Sequence, residues 1–252
     1  MRAFSVSSEP ESVLQTVWHA GRRRLPERYE RDLWDRRLRR RVAALVWEGC
    51  VVLDIGAGRR PIVPRGDRPS GIHYVALDPA ADELARAPAD AYDEVVVAAA
   101  EDRVPALDET FDLAVSFLAL EHVRSTERVF DNVYAYLKPG GTLLAVAAGA
   151  RSPFALANRA LPPLVTRRLL AATQGRPPAS VFRGRYDSCT HDGLLAALGG
   201  RWTERSVEPM YTGAGYVLFS RALTALYVGY EEWLFRAERR GLAPYYLIEA
   251  TK

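Results

Sequence analysis

Apolar residues follow two rhythms along this chain, and the switches between them mark the elements. Short apolar runs bounded by glycine, proline or aspartate predict strands at 51–55, 73–77, 94–97, 111–117, 142–148, 201–209 and 245–250. Apolar spacings of three and four predict helices around them. One stripe is Val13, Leu14, Val17 and Trp18; a second is Leu33, Trp34, Leu38, Val42, Leu45 and Val46. Pro26 interrupts this helical stretch, which runs from Ser12 to Trp47. Further helical patterns cover 81–87, 128–137, 155–161, 164–172, 193–198 and, rich in aromatics, 217–240. Lys138-Pro139-Gly140-Gly141 reads as a helix stop and tight turn ahead of the fifth strand.

Strands alternating with helices predict an α/β fold, with a doubly wound, seven-stranded and mainly parallel sheet covered on both faces. The organisation expected is a helical segment over 1–41, a ligand-binding core over 42–150, and a region 151–252 that adds cap insertions to the last strands. The polar first twelve residues offer little to bury.

Composition narrows the class. A chain of 252 residues, 48% hydrophobic and 26% charged, suits one large globular unit with an elaborated cap. The net charge of +3 is too small to mark a nucleic-acid binder, and Lys138 and Lys252 are the only lysines. Arg22-Arg23-Arg24 and Arg39-Arg40-Arg41 read as solvated helix faces, because Glu27, Glu30, Asp32 and Asp35 are interleaved with them. Cys50 and Cys189 have no C-x-x-C spacing, which argues against a disulfide scaffold or a structural zinc site. The first residues carry no signal-peptide pattern, and no apolar run reaches the roughly 18–20 residues of a membrane span. A cytoplasmic protein is expected.

The chemistry gathers at Val51-Val52-Leu53-Asp54-Ile55-Gly56-Ala57-Gly58, a buried-type strand that runs into a glycine turn. Such a turn lets bare backbone approach a ligand. Asp78 ends the second strand, where a carboxylate can accept from both ribose hydroxyls of a nucleoside.

These residues, with A-E-D-R-V-P (100–105), F-D-L-A-V-S-F-L-A-L-E-H-V (111–123) and L-K-P-G-G-T-L-L-A-V (137–146), resemble the class I S-adenosylmethionine-dependent methyltransferases. The turn is D-x-G-x-G, unlike the G-x-G-x-x-G of dinucleotide enzymes. The resemblance spans about residues 42–148 and implies a Rossmann-like sheet with S-adenosyl-L-methionine as cofactor and S-adenosyl-L-homocysteine as product. It implies that Gly56, Ala57 and Gly58 lie along the methionine portion, with Asp54 supporting the turn and the cofactor's amino group. Asp78, followed by Pro79, holds the ribose. Ala99 to Asp102 borders the adenine, and Phe117, Leu118 and Ala119 line the methyl-transfer face. Ala99 stands where many relatives carry an aspartate for the adenine amino group, so Glu101 or Asp102 is the substitute, or the contact is backbone alone.

His122, in the Glu121-His122 pair after the fourth strand, is the foremost candidate base, since a neutral imidazole with an ordinary pKa near 6.5 can deprotonate a hydroxyl. His191 is its rival. Relatives that hold a divalent metal use an E-x-x-E-H pattern; Leu118 replaces its first acid, so no metal is expected. Arg183, Arg185, Tyr186, Asp187 and Tyr211 are the polar and aromatic candidates for acceptor contacts, and Cys189 reads as a small buried residue. The 217–240 helix is expected to pack on the sheet, with a dimer face or membrane-surface contact as alternatives. The function expected is direct, in-line O-methylation of a small molecule, a specialised metabolite or glycan precursor. The alternative is a cofactor-binding homologue that catalyses another reaction, such as a cyclisation, or acts as a non-catalytic partner. The partner expected is a small-molecule acceptor, with a homodimer left open, and not nucleic acid.

Overall fold

The structure, a computed structural model, describes residues 25–31, 33–162 and 184–252. The stripe at Val13–Trp18, the Arg22–Arg24 triplet, the 164–172 helical pattern and Arg183 lie outside the described residues. Seven strands form one sheet in the order β3-β2-β1-β4-β5-β7-β6. They are β1 (Val51–Ile55), β2 (His73–Leu77), β3 (Glu94–Val96), β4 (Phe111–Phe117), β5 (Leu137–Ala148), β6 (Glu204–Met210) and β7 (Tyr245–Thr251). Strands β1 to β5 pair in parallel, whereas β7 runs antiparallel to both β5 and β6. The order reverses between β1 and β4, so their carboxyl ends open a crevice of the kind that binds ligands in such sheets.

The helices are α1 (Glu27–Arg31), α2 (Trp34–Leu45), α3 (Ala81–Leu84), α4 (Thr126–Tyr136), α5 (Pro153–Ala160), α6 (His191–Leu198) and α7 (Arg221–Arg236). Successive strand residues face opposite sides, which divides the core in two. Leu53, Ile55, Val75, Leu77 and Ala114 pack with Val129, Phe130 and Val133 of α4. On the other side Val52, Tyr74, Leu113, Val115 and Leu144 pack with Leu38 and Val42 of α2. Each fully buried aliphatic side chain here contributes roughly 1.5–3 kcal/mol.

Several expected boundaries move, three of them in the fifth and sixth strands and around α7. The fifth strand starts at Leu137, because Lys138 to Gly141 stays in the sheet through a register shift: Phe111 pairs with Leu137, and the next pairing is Leu113 with Thr142. The helix expected over 217–240 is shorter: α7 covers Arg221–Arg236 and follows a 3₁₀ turn at Gly213–Val217. Ser220 caps α7 by accepting from the Leu223 N–H, and Glu238, at φ +47°, follows its end. The sixth strand begins at Glu204, later than the pattern suggests. Among the described residues no helix is long and apolar enough to cross a membrane.

Candidate functional site

The crevice is a cavity of about 690 Å³ at the carboxyl ends of β1, β2 and β4. Its floor is the glycine turn. Gly56 has φ +70°, its N–H donates to the Leu77 carbonyl at 2.8 Å, and a Cβ there would lie 2.3 Å from the Ala119 Cβ. Only glycine lets β1 and the segment after β4 meet so closely. Asp78 closes the next side. Its Oδ2 accepts from the Gly58 N–H at 3.0 Å and its Oδ1 from the Ala80 N–H at 2.8 Å. A carboxylate offers about four lone-pair sites, so one on each oxygen remains for a ligand. Burial pushes this carboxyl's pKa up, and the two N–H groups oppose that shift.

Asp54 does not line the cavity. Alternation puts its side chain on the Val52 face, 1% exposed, where it accepts from the Ile62 N–H at 3.0 Å and the Tyr74 hydroxyl at 2.8 Å. Burial raises its pKa to about 7 despite both bonds. It supports the turn by anchoring the loop that follows. Tyr92, which sequence reasoning missed, supports the turn too: its hydroxyl lies 3.0 Å from both the Ala57 and Gly58 carbonyls. Ala57 itself is buried and outside the lining.

Pro79, Ala99, Ala100 and Glu101 continue the wall. The Glu101 carboxylate accepts from the Arg124 N–H at 2.6 Å. Asp102 is not in the lining; it is exposed and lies 3.7 Å from the Arg124 guanidinium. Past β4, Leu118 lines the cavity in a left-handed conformation, φ +52°, with its N–H donating to the Val146 carbonyl at 2.8 Å. Phe117 instead packs against the α2-side core. Leu120 to His122 form one 3₁₀ turn, and His122 lines the cavity.

Beyond this turn the lining becomes mostly apolar, with Ala148, Phe154, Ala157, Leu161 and Tyr216, together with Asn158, Arg185 and Tyr186. The structure thus brings Arg185 and Tyr186 to the same cavity as His122. It does not bring Tyr211, His191 or Asp187. Tyr211 borders a separate surface hollow with Phe235 and Arg240. His191 heads α6, with its Nδ1 2.8 Å from Asp192 Oδ1. Asp187 anchors the start of α4, where Oδ2 accepts from the Thr126 N–H at 2.8 Å. Asn158, like Glu83, Arg124 and Tyr216, is a lining residue that no local pattern singles out. Among the described residues no group of three His, Cys, Asp or Glu could hold a metal ion. Cys189 is fully buried, and burial pushes its thiol pKa well up.

A family described as "Methyltransferase domain" matches residues 18–182, well over half of the chain. No curated protein sequence matches it. Among solved structures, geranyl diphosphate C-methyltransferase from Streptomyces coelicolor A3(2) is 14% identical. It aligns with a TM-score of 0.56 over 96% of this chain and 85% of its own. A possible exported protein from Bordetella parapertussis is 18% identical, with a TM-score of 0.53 over 99% of this chain and 76% of its own. The [4+2]-cyclase SpnF is 17% identical, with a TM-score of 0.53 over 86% and 80%.

Proposed function

The chain belongs to the class I S-adenosylmethionine-dependent methyltransferases, and on that premise we propose that it methylates an oxygen atom of a small molecule. The observation that carries this reading is one continuous cavity. It is lined at one end by Asp78 and the glycine turn, at the other by Phe154, Asn158, Tyr186 and Tyr216, and by His122 on the turn after β4. Folds of this kind host several chemistries, so the methylated atom is argued from the site alone.

S-adenosyl-L-methionine, when bound, supplies the electrophilic methyl group and leaves as S-adenosyl-L-homocysteine. The residues present fit it. Asp78 keeps a lone pair on each oxygen for the two ribose hydroxyls, and Gly56 and Gly58 offer bare backbone to the methionine portion. Glu101 and the backbone at Ala99 and Ala100, which line the cavity, would border the adenine, and Leu118 and Ala119 would wall the reacting face. His122 takes the proton from the acceptor hydroxyl, a role worth about 10²–10⁴ in rate. The apolar far wall excludes water and fixes the acceptor's approach.

Calorimetry with S-adenosylhomocysteine tests the cofactor half. Binding in the wild type, weakened about tenfold or more in Asp78→Ala, is the expected result; absence of any heat with the wild type refutes the reading. Transfer of a labelled methyl group to a pool of small hydroxy compounds tests the other half. There His122→Ala lowers turnover by about 10² or more while leaving S-adenosylhomocysteine affinity within a few-fold. Tight binding with no transfer to any acceptor would favour a homologue that uses the cofactor site for another reaction.

A further inference from the structure

Tyr186 sits at φ +56°, a backbone conformation that bulky residues rarely adopt. Its own N–H and that of Arg185 donate to the Glu121 carbonyl at 2.9 and 2.7 Å, next to His122 in the chain. Its ring folds back over Gly184, where a Cβ would fall 2.3 Å from a ring carbon. Strain of this sort persists where the surroundings over-determine it, and it clusters at ligand sites. From α5, the Asn158 amide donates to the Tyr186 phenol oxygen at 3.2 Å, and both residues line the cavity.

That bond uses one donor and one acceptor. A phenol has one proton to give, and an amide has an oxygen to accept with, so the pair retains at least one of each. Turning the amide over exchanges which residue supplies which, but leaves the same pair of functions. Burial pushes the phenol's pKa up, which keeps its proton in place. The wall beside the pair carries Arg185 and Glu121 as well as apolar groups, and the rings of Phe154 and Tyr216 lie 4.3 Å apart on it. A hydroxyl is the simplest group that both gives and accepts, and a flat apolar body suits the rest.

We propose that Asn158 and Tyr186 form a hydroxyl-recognition pair, so that the acceptor is a flat molecule with two hydroxyl groups. One is placed at His122 for methylation and the second is held by the pair. This inference rests on the methyltransferase reading given above.

The test titrates protein saturated with S-adenosylhomocysteine with phenol, catechol and resorcinol by calorimetry. At least one of the two diols should bind about tenfold more tightly than phenol, the size of effect expected for one satisfied polar pair. Tyr186→Phe and Asn158→Leu should each erase that advantage, with S-adenosylhomocysteine affinity held within about threefold of wild type as the check on folding. Three results overturn the proposal: phenol binding as well as both diols, none of the three binding, or the diol advantage surviving in both variants. A wild type that failed to take up S-adenosylhomocysteine would instead remove the methyltransferase reading, and this inference with it.

Discussion

Asp54→Asn removes a buried charge yet keeps an acceptor for the Ile62 N–H and the Tyr74 hydroxyl. Burial holds the folded-state pKa of Asp54 at about 7, against an ordinary 3.8. The folded protein therefore keeps this proton where the unfolded chain has released it, so rising pH favours unfolding. At about 1.4 kcal/mol per pKa unit, the group's contribution is fully present below about pH 4, and about 4 kcal/mol of it is gone above about pH 7. Between about pH 5 and pH 8 the loss is roughly 3 kcal/mol, or about 5–10 °C in Tm for a chain of this size. Thermal unfolding of wild type and Asp54→Asn across that range isolates the effect, since other groups titrate in both proteins. The gap should move in favour of the variant as pH rises. A gap that is the same at every pH refutes the reasoning. S-adenosylhomocysteine affinity supplies a second check: it should stay within about threefold, because the carboxylate anchors a loop and does not line the cavity. A tenfold loss in a variant of unchanged Tm would mean that Asp54 reaches the ligand after all.

Two further substitutions probe the turn. Gly56→Ala puts a methyl group 2.3 Å from the Ala119 Cβ at a positive φ, so it should displace the turn and weaken S-adenosylhomocysteine binding by about tenfold or more; ordinary affinity by calorimetry would show that the turn can shift freely. Tyr92→Phe leaves the Ala57 and Gly58 carbonyls without their side-chain donor, and chemical denaturation should register a loss of about 1–2 kcal/mol. An unchanged midpoint would mean that solvent replaces the hydroxyl there.

The central strands were legible because parallel strands buried on both faces read as apolar runs stopped by glycine or aspartate. The expected limits of β1, β2 and β4 match the structure for that reason. Helix starts were less legible. Apolar periodicity suggests starts at 128, 155 and 193, whereas α4, α5 and α6 begin at 126, 153 and 191. Each starts directly after a serine or threonine (Ser125, Ser152 and Thr190) whose side chain accepts a backbone N–H of the first turn. The caps were present in the sequence; the first turn they hold contributes little to the apolar stripe. The direction of Asp54 was also readable, since alternation from Val52 fixes its face. Tyr92 and Asn158 were not. Their partners lie 35, 34 and 28 positions away, and no local spacing announces such bonds.

The placement of β7 has a consequence for how the protein is made. In the finished sheet β7 lies between β5 and β6, yet β5 ends at Ala148 and β7 begins at Tyr245. During synthesis the strands around the glycine turn can associate while one whole edge of β5 still waits for a segment not yet translated. An apolar strand with unpaired backbone groups is a template for the wrong neighbour, from this chain or another. Closing so long a connection also makes the β5–β7 pairing a slow, non-local step. The glycine-turn end of the cavity can thus form on a nascent chain, while the sheet is completed only after β7 emerges. Chaperone dependence, if the protein has one, belongs to that interval.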